Sequence, residues 1–339
     1  MLPGHGFFPV LSFAGMSGID RILFFGTPDF AVPALAALVD AGRAPVRVVA
    51  QPSRPAGRGN RLQDPPVAAW AREHGLEVMQ PERVRNPAFL EEIAALSPDL
   101  AVVVAFGQIF PRALLDLPRH GCVNLHASLL PRWRGASPIQ AAVAAGDTRT
   151  GVTTMLMEEG LDSGPILLQE ELEIGPDETA GALSHRLAEM GGRLIVETIE
   201  RLERGGLEPR PQPAEGVTFA PKLARDSGRA DWRLVAREIH DRLRAYTPWP
   251  GLTSELRGAP VKILAAEPIS DERPDERPEE NPGATAPGTI LGLRGGRLAV
   301  ACGGGTVLGL AELQRPGKRA LRAADFVNGE RLRAGESFS

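Results

Sequence analysis

Leu100-Ala101-Val102-Val103-Val104-Ala105 and Cys122-Val123-Asn124-Leu125-His126 are the two stretches whose reading decides the fold. The first is apolar throughout and strand-sized, as expected of a strand buried on both faces of a parallel sheet. The second starts apolar and ends on polar residues. As a strand, it points Asn124 and His126 to the same side. Outward from this pair, strands are expected at 21–25, 46–50, 76–79, 152–157 and 166–172. Helices are expected at 27–41, 65–74, 86–97, 136–145 and 179–203, the last interrupted by Gly191-Gly192. Strands alternating with helices indicate an α/β class with a doubly wound, Rossmann-like, mostly parallel sheet. Such sheets bind ligands outside the carboxyl ends of their strands, so the loops after Phe25, Ala50, Ala105 and His126 are the places to look.

Past this region the composition changes. Pro209, Pro211 and Pro213 alternate in a stiff Pro- and Gly-rich stretch. A helix over 232–245 is expected next, then short β runs at 252–257, 261–264, 288–293, 297–301 and 306–313 with Gly-rich turns, the pattern of a small OB-like β-barrel. Residues 270–286 form an acidic, Pro-rich insertion expected to be a disordered loop. The expected organisation is a disordered tail over 1–18, a catalytic domain over 19–206, a linker over 207–226 and a barrel over 227–339. Met16 is an alternative start.

The chain has 339 residues, enough for two domains, with 43% hydrophobic and 24% charged residues. A net charge of -4 speaks against a wholesale nucleic-acid coat but leaves room for local basic faces. Cys122 and Cys302 have no paired spacing, which argues against a disulfide scaffold or a Cys-based zinc site. No apolar run approaches the roughly 20 residues that span a bilayer. The first strand is followed by FGTPDF rather than GxGxxG, so a dinucleotide cradle is not supported.

Chemistry concentrates around Asn124, His126 and Asp162. An Asn amide can hold a carbonyl oxygen that gains negative charge, and His can carry a proton near neutral pH. Asp162, in the glycine-flanked GLDSGPIL turn, can orient the imidazole and stabilise its charged form. This set suits acyl-type transfer to an amine without a covalent intermediate. Taken singly, each residue has an ordinary alternative: Asn124 satisfying a strand end, His126 a satisfied core histidine, Asp162 a turn cap. Spacing alone favours those roles. A basic segment over 51–63 carries Arg54, Arg58 and Arg61 and no acid, and 318–333 carries five basic residues against two acids, or +3. Either could be a solvated surface or a nucleic-acid contact.

FFGTPDFAVPAL, QPSRPAGRGNRL, PPVAAWA, VVAFGQIFP, NLHASLLPRWRGASPIQ, GVTTMLMEEGLDSGPIL and ADFVNGERL together resemble the folate-dependent formyltransferases, and within them the branch acting on methionyl-tRNA. The resemblance runs from Arg21 nearly to the end. It implies that Asn124, His126 and Asp162 are the catalytic trio. It also implies that Phe106, Gly107, Ser128, Leu129, Leu130 and Pro131 border the pocket for 10-formyltetrahydrofolate, the formyl donor. It places Arg54, Arg58 and Arg61 on a loop that reaches the acceptor end of initiator methionyl-tRNA, with Lys318 and Arg319 on a second tRNA-contacting face. The implied enzyme is a cytoplasmic monomer that needs no metal and supplies formylmethionine for translation initiation. Phe106 stands where many relatives carry Tyr, and Ser163 where Thr is common. Alternatives are formyl transfer to an amino sugar or purine precursor, hydrolysis of the formyl-folate, and a non-catalytic RNA-binding protein.

Overall fold

The computed structural model describes residues 18–56, 61–269 and 285–339. In chain order the first part comprises β1 (Ile22–Gly26), α1 (Val32–Asp40), β2 (Arg47–Val49), β3 (Arg54–Ala56), β4 (Arg61–Gln63), α2 (Pro66–Glu73), β5 (Val78–Met79), α3 (Pro87–Ala95), β6 (Leu100–Val104), α4 (Arg112–Leu115) and β7 (Cys122–His126). There follow β8 (Arg134–Gly135), α5 (Pro138–Ala144), β9 (Arg149–Leu156), β10 (Ile166–Glu173) and α6 (Ala180–Glu203). The chain divides into two compact units, one of residues 1–132, 151–170 and 186–217 and one of 133–150, 171–185 and 218–339.

The first unit is built on a sheet of order β10-β9-β7-β6-β1-β2-β5. The pairs β1–β2, β1–β6, β2–β5 and β6–β7 are parallel, whereas β9 runs antiparallel to β7. This is the mostly parallel, doubly wound sheet the apolar strands predict. β1 and β6 are buried at every residue, because helices cover both faces. On one face Leu23, Phe25, Val103 and Cys122 pack with Phe89 and Ile93 of α3 and Leu114 and Leu115 of α4. On the other, α6 lies against β7: a Cβ at Gly191 would come within 2.5 Å of the Leu125 side chain, and one at Gly192 within 2.8 Å of the Pro33 carbonyl oxygen in α1. The glycine pair that interrupts the helical pattern is thus the place where α6 approaches the sheet and α1 most closely.

The second unit adds β11 (Phe219–Ala220), α7 (Ala236–Ala245), β12 (Leu252–Leu256), β13 (Ala259–Ile269), β14 (Ile290–Arg294), β15 (Arg297–Ala301), β16 (Val307–Gln314), β17 (Leu321–Arg322) and α8 (Ala323–Glu330). β12 to β16 form an antiparallel sheet of order β12-β13-β16-β15-β14, with β17 on β16. The C-terminal segment bridges both edges, Ser337 to Thr289 and Phe338 to Leu256. That joining closes the barrel-like layer around Trp232, Ile239, Leu298, Leu310 and Phe326. The helix expected from residue 232 starts at Ala236, because Trp232 is used in the core, its indole donating to Ser254 Oγ at 3.0 Å. Most of the acidic insertion, 270–284, lies outside the described residues, as do residues 1–17. Among the described residues no helix is long and apolar enough to cross a membrane.

Candidate active site

β7 is the third strand of its sheet from the β10 edge, and its carboxyl end carries the site. Cys122, Asn124 and His126 alternate with Val123 and Leu125. Since Leu125 meets α6, Asn124 and His126 share the opposite face with Cys122. Register sets Asn124 beside Val103 of β6 and Met155 of β9, and His126 beside Thr153. His126 is buried, and its Nδ1 lies 3.7 Å from Asp162 Oδ2. Asp162 is itself largely covered, at 18% side-chain exposure. A carboxylate at this distance is placed to hold the ring's direction. Cys122, the sulfur on the same strand, is no competitor as nucleophile, because burial pushes its thiol up to about 12 and keeps it protonated.

Asp162 adopts φ 46 in the turn between β9 and β10. Asp tolerates this left-handed conformation better than most residues. The turn is tight: a Cβ at Gly164 would overlap the Leu156 carbonyl oxygen. Gln212 closes it from outside, its Nε2 donating to the carbonyl oxygens of Asp162 and Gly164, each at 2.8 Å.

The loop after β7 is held just as firmly. Ser128 is fully buried, and its Oγ donates to the Arg132 carbonyl at 2.6 Å. Thr153 Oγ1 donates to the Ser128 carbonyl at 2.6 Å and accepts from Leu130 N at 3.2 Å. Gln169 Nε2 donates to the Leu130 carbonyl at 2.9 Å. Leu130 packs on Met155 and Ile166, while Leu129 and Pro131 are half-buried. This loop is pre-shaped rather than free to adapt.

The loops after β1, β2 and β6 meet at the Phe106 carbonyl, which accepts from Thr27 Oγ1 at 3.0 Å and Gln51 Nε2 at 3.1 Å. Ala105 and Gly107 flank it at φ 46 and φ 85. Such a left-handed non-glycine backbone is a feature of functional loops. The Phe106 ring turns inward, edge-on to Phe25 at 5.3 Å. The Phe106 side chain is thus part of the core at this loop.

Arg54 and Arg61 sit on opposite strands of the β3–β4 hairpin, both exposed. Arg58 lies outside the described residues. The hairpin base is anchored by Asp64, which accepts from Ser53 Oγ at 2.5 Å and pairs with Arg72. Those partners hold its carboxyl below the usual carboxylate range, Arg72 foremost. In the second unit Lys318 and Arg319 are exposed on the turn between β16 and β17.

The sequence reading did not single out Gln51, Thr153, Gln169 or Gln212. Their partners are mainly backbone carbonyls distant in sequence, and no motif or periodicity marks such contacts.

Residues 20–199 match the family described as formyl transferase, and residues 222–331 match formyl transferase, C-terminal domain. The chain is 47% identical over 315 residues to the methionyl-tRNA formyltransferase of Myxococcus xanthus, covering 93% of this chain and 96% of that protein. It is 50% identical over 311 residues to that of Anaeromyxobacter dehalogenans, with 92% and 97% covered. Among solved structures, an N-formyltransferase from Helicobacter canadensis in complex with folinic acid and dTDP-3-aminofucose aligns with a TM-score of 0.62 at 16% identity, covering 86% of this chain and 98% of that one. HypX from Aquifex aeolicus in complex with tetrahydrofolic acid aligns with a TM-score of 0.58 at 18% identity, covering 91% and 47%. At these identities the two structures speak to the fold alone.

Proposed function

This chain belongs to the methionyl-tRNA formyltransferase family, and from that premise we propose how it works: 10-formyltetrahydrofolate is the donor, initiator methionyl-tRNA the acceptor, and Asn124, His126 and Asp162 the reacting set. The observation that carries this reading is the buried His126–Asp162 pair, 3.7 Å apart, with Asn124 on the same strand face.

In the proposed reaction the methionyl α-amine attacks the formyl carbon directly. One C–N bond forms to the amine and the C–N10 bond breaks. The formyl oxygen becomes an oxyanion, and the Asn124 amide donates to it. His126 takes the proton released by the amine and returns one to N10, while Asp162 holds the ring and balances its charge. An α-amine with a pKa of about 7.7–8.0 supplies a neutral fraction without further activation. No enzyme nucleophile takes part, consistent with a Cys122 thiol raised to about 12. The firmly held 128–131 loop and the backbone at Phe106 and Gly107 cradle the folate. Arg54, Arg58 and Arg61 approach the acceptor end of the tRNA, and Lys318 and Arg319 contact its phosphates. The enzyme acts as a cytoplasmic monomer without a metal. Transfer to an amino sugar is not favoured, because the full-length relatives at 47% and 50% identity are methionyl-tRNA formyltransferases.

The test is transfer of labelled formyl from 10-formyltetrahydrofolate to initiator and elongator methionyl-tRNA. Labelling is expected on the initiator, and His126→Ala should lower its rate about 10²–10⁴-fold. Folded protein that labels neither tRNA would overturn the reading.

A further inference from the structure

We propose that Gln212 is a positioning residue for formyl transfer: it fixes the turn that carries Asp162 and so keeps that carboxylate against His126. The inference rests on the catalytic reading above and concerns a residue outside the trio.

The segment after α6 returns to the sheet through an antiparallel bridge between Arg210 and Ile166, with N–H···O distances of 2.7 and 2.8 Å. Two residues on from Arg210, Gln212 stands opposite Gly164, two residues before Ile166. Its Nε2 donates to both Asp162 O and Gly164 O at 2.8 Å, and also lies 3.9 Å from Met155 Sδ. Two carbonyl acceptors settle the direction of the amide, because Oε1 in that place would face two oxygens. Both N–H groups of the amide can therefore be used to tie the ends of a three-residue span. Within that span Asp162 sits at φ 46, a conformation that the chain must hold against its own preference. The other side of the turn is fixed by Gly164 against the Leu156 carbonyl. One side of the turn is set by backbone contact and the other is tied by the Gln212 amide, so removing that amide loosens the turn and lets its carboxylate shift. The histidine, in contrast, stays on its strand. Loss of alignment by an ångström at a reacting group costs about 10²-fold.

The experiment uses the full-length protein. Single-turnover rates, and kcat and KM for both substrates, are compared for wild type, Gln212→Met, Gln212→Glu, Asp162→Asn and the double variant Gln212→Met/Asp162→Asn. Tm is measured for each. Gln212→Met keeps length and removes both donors, and it should lower kcat about 10–100-fold with KM unchanged. Gln212→Glu turns a carboxylate on two carbonyls and should fall at least as far. Because Gln212 acts through Asp162, the double variant should be no slower than Asp162→Asn alone. If Gln212→Met does not fold, Gln212→Glu carries the same comparison. Wild-type kcat in the folded Gln212 variants, or an equal further loss in the Asp162→Asn background, would overturn the inference. An inactive wild type would overturn the formyl-transfer reading and this inference together, so the two failures are told apart.

Discussion

A histidine on a strand end and an aspartate in a later turn form a working pair only when backbone conformation makes them one. His126 gets its direction from β7, whose alternation is legible in five residues. Asp162 gets its direction from a turn at φ 46, which sequence can hint at through flanking glycines but cannot aim. That is why alternation alone puts Asn124 and His126 on one side, whereas Asp162 joins them by the chemistry of its glycine-flanked turn and spacing cannot say that it faces them; for all three, the family resemblance is what tips the reading toward catalysis. Gln212 could not have been found, because its acceptors are main-chain oxygens 48 and 50 positions earlier. Two outcomes follow at this scale. Asn124→Ala removes the only side-chain amide on this strand face and should lower kcat about 10²–10³-fold while leaving folate affinity intact, read by steady-state kinetics and folate titration. Gly164→Ala forces a methyl into the Leu156 carbonyl oxygen. The turn must then move, and kcat should drop even in protein that remains folded at the assay temperature. Unchanged kcat in Gly164→Ala would show that the turn can move without displacing Asp162.

Elements with continuous apolar strands or strong helical period were legible to within a few residues, as β7, β15 and α6 illustrate. The β3–β4 hairpin and α8 were not. The hairpin sets Arg54 against Gln63 on one face and Pro55 against an exposed Leu62 on the other, so no face is buried, and it is held at its base by Asp64, Ser53 and Arg72 rather than by apolar alternation. α8 buries only Ala323 and Phe326 among eight residues, too sparse a stripe to read. The helix–sheet contact at Gly191 and Gly192 inverts the usual propensity rule. Gly→Ala inside a helix ordinarily stabilises by about 1 kcal/mol. At Gly192 the added methyl meets the Pro33 carbonyl oxygen at 2.8 Å, so Gly192→Ala should lower Tm and the urea midpoint instead. For the hairpin, Asp64 is held below its usual range by Arg72 and Ser53. A carboxyl lowered in the folded state contributes above its unfolded value of about 3.9 and loses that contribution as pH falls through the folded value. At neutral pH the anchor is therefore fully formed, and Asp64→Asn should speed tryptic cleavage after Arg61 in a way that wild type reproduces only in acid, where amide exchange over the same strands can follow it.

For the whole molecule, a net charge of -4 makes general attraction to RNA unfavourable. Affinity must come from local basic groups, and the cost of neutralising phosphates there appears as salt dependence. Lys318 and Arg319 are exposed on the turn between β16 and β17. Two acids of that unit are paired: Glu330 with Arg315 at 2.8 Å and Glu336 with Arg257 at 2.6 Å. Their carboxyls are correspondingly held low, first of all by Arg315 and Arg257 respectively. These two acids are thus committed to partners of their own. If Lys318 and Arg319 both meet tRNA phosphates, replacing them with alanine should weaken tRNA binding across all sequences and flatten the plot of log K against log salt by about 1.4–1.8, at roughly 0.7–0.9 per contact. The formyl-transfer rate at saturating tRNA should stay at its wild-type value, because neither residue touches the reacting atoms. If the hairpin guides the acceptor end, as proposed, Arg54→Ala with Arg61→Ala should behave differently, lowering kcat as well, because the amine would reach His126 less often. An unchanged salt slope in the Lys318→Ala/Arg319→Ala protein would take the phosphates away from this turn and leave the hairpin as the main electrostatic contact.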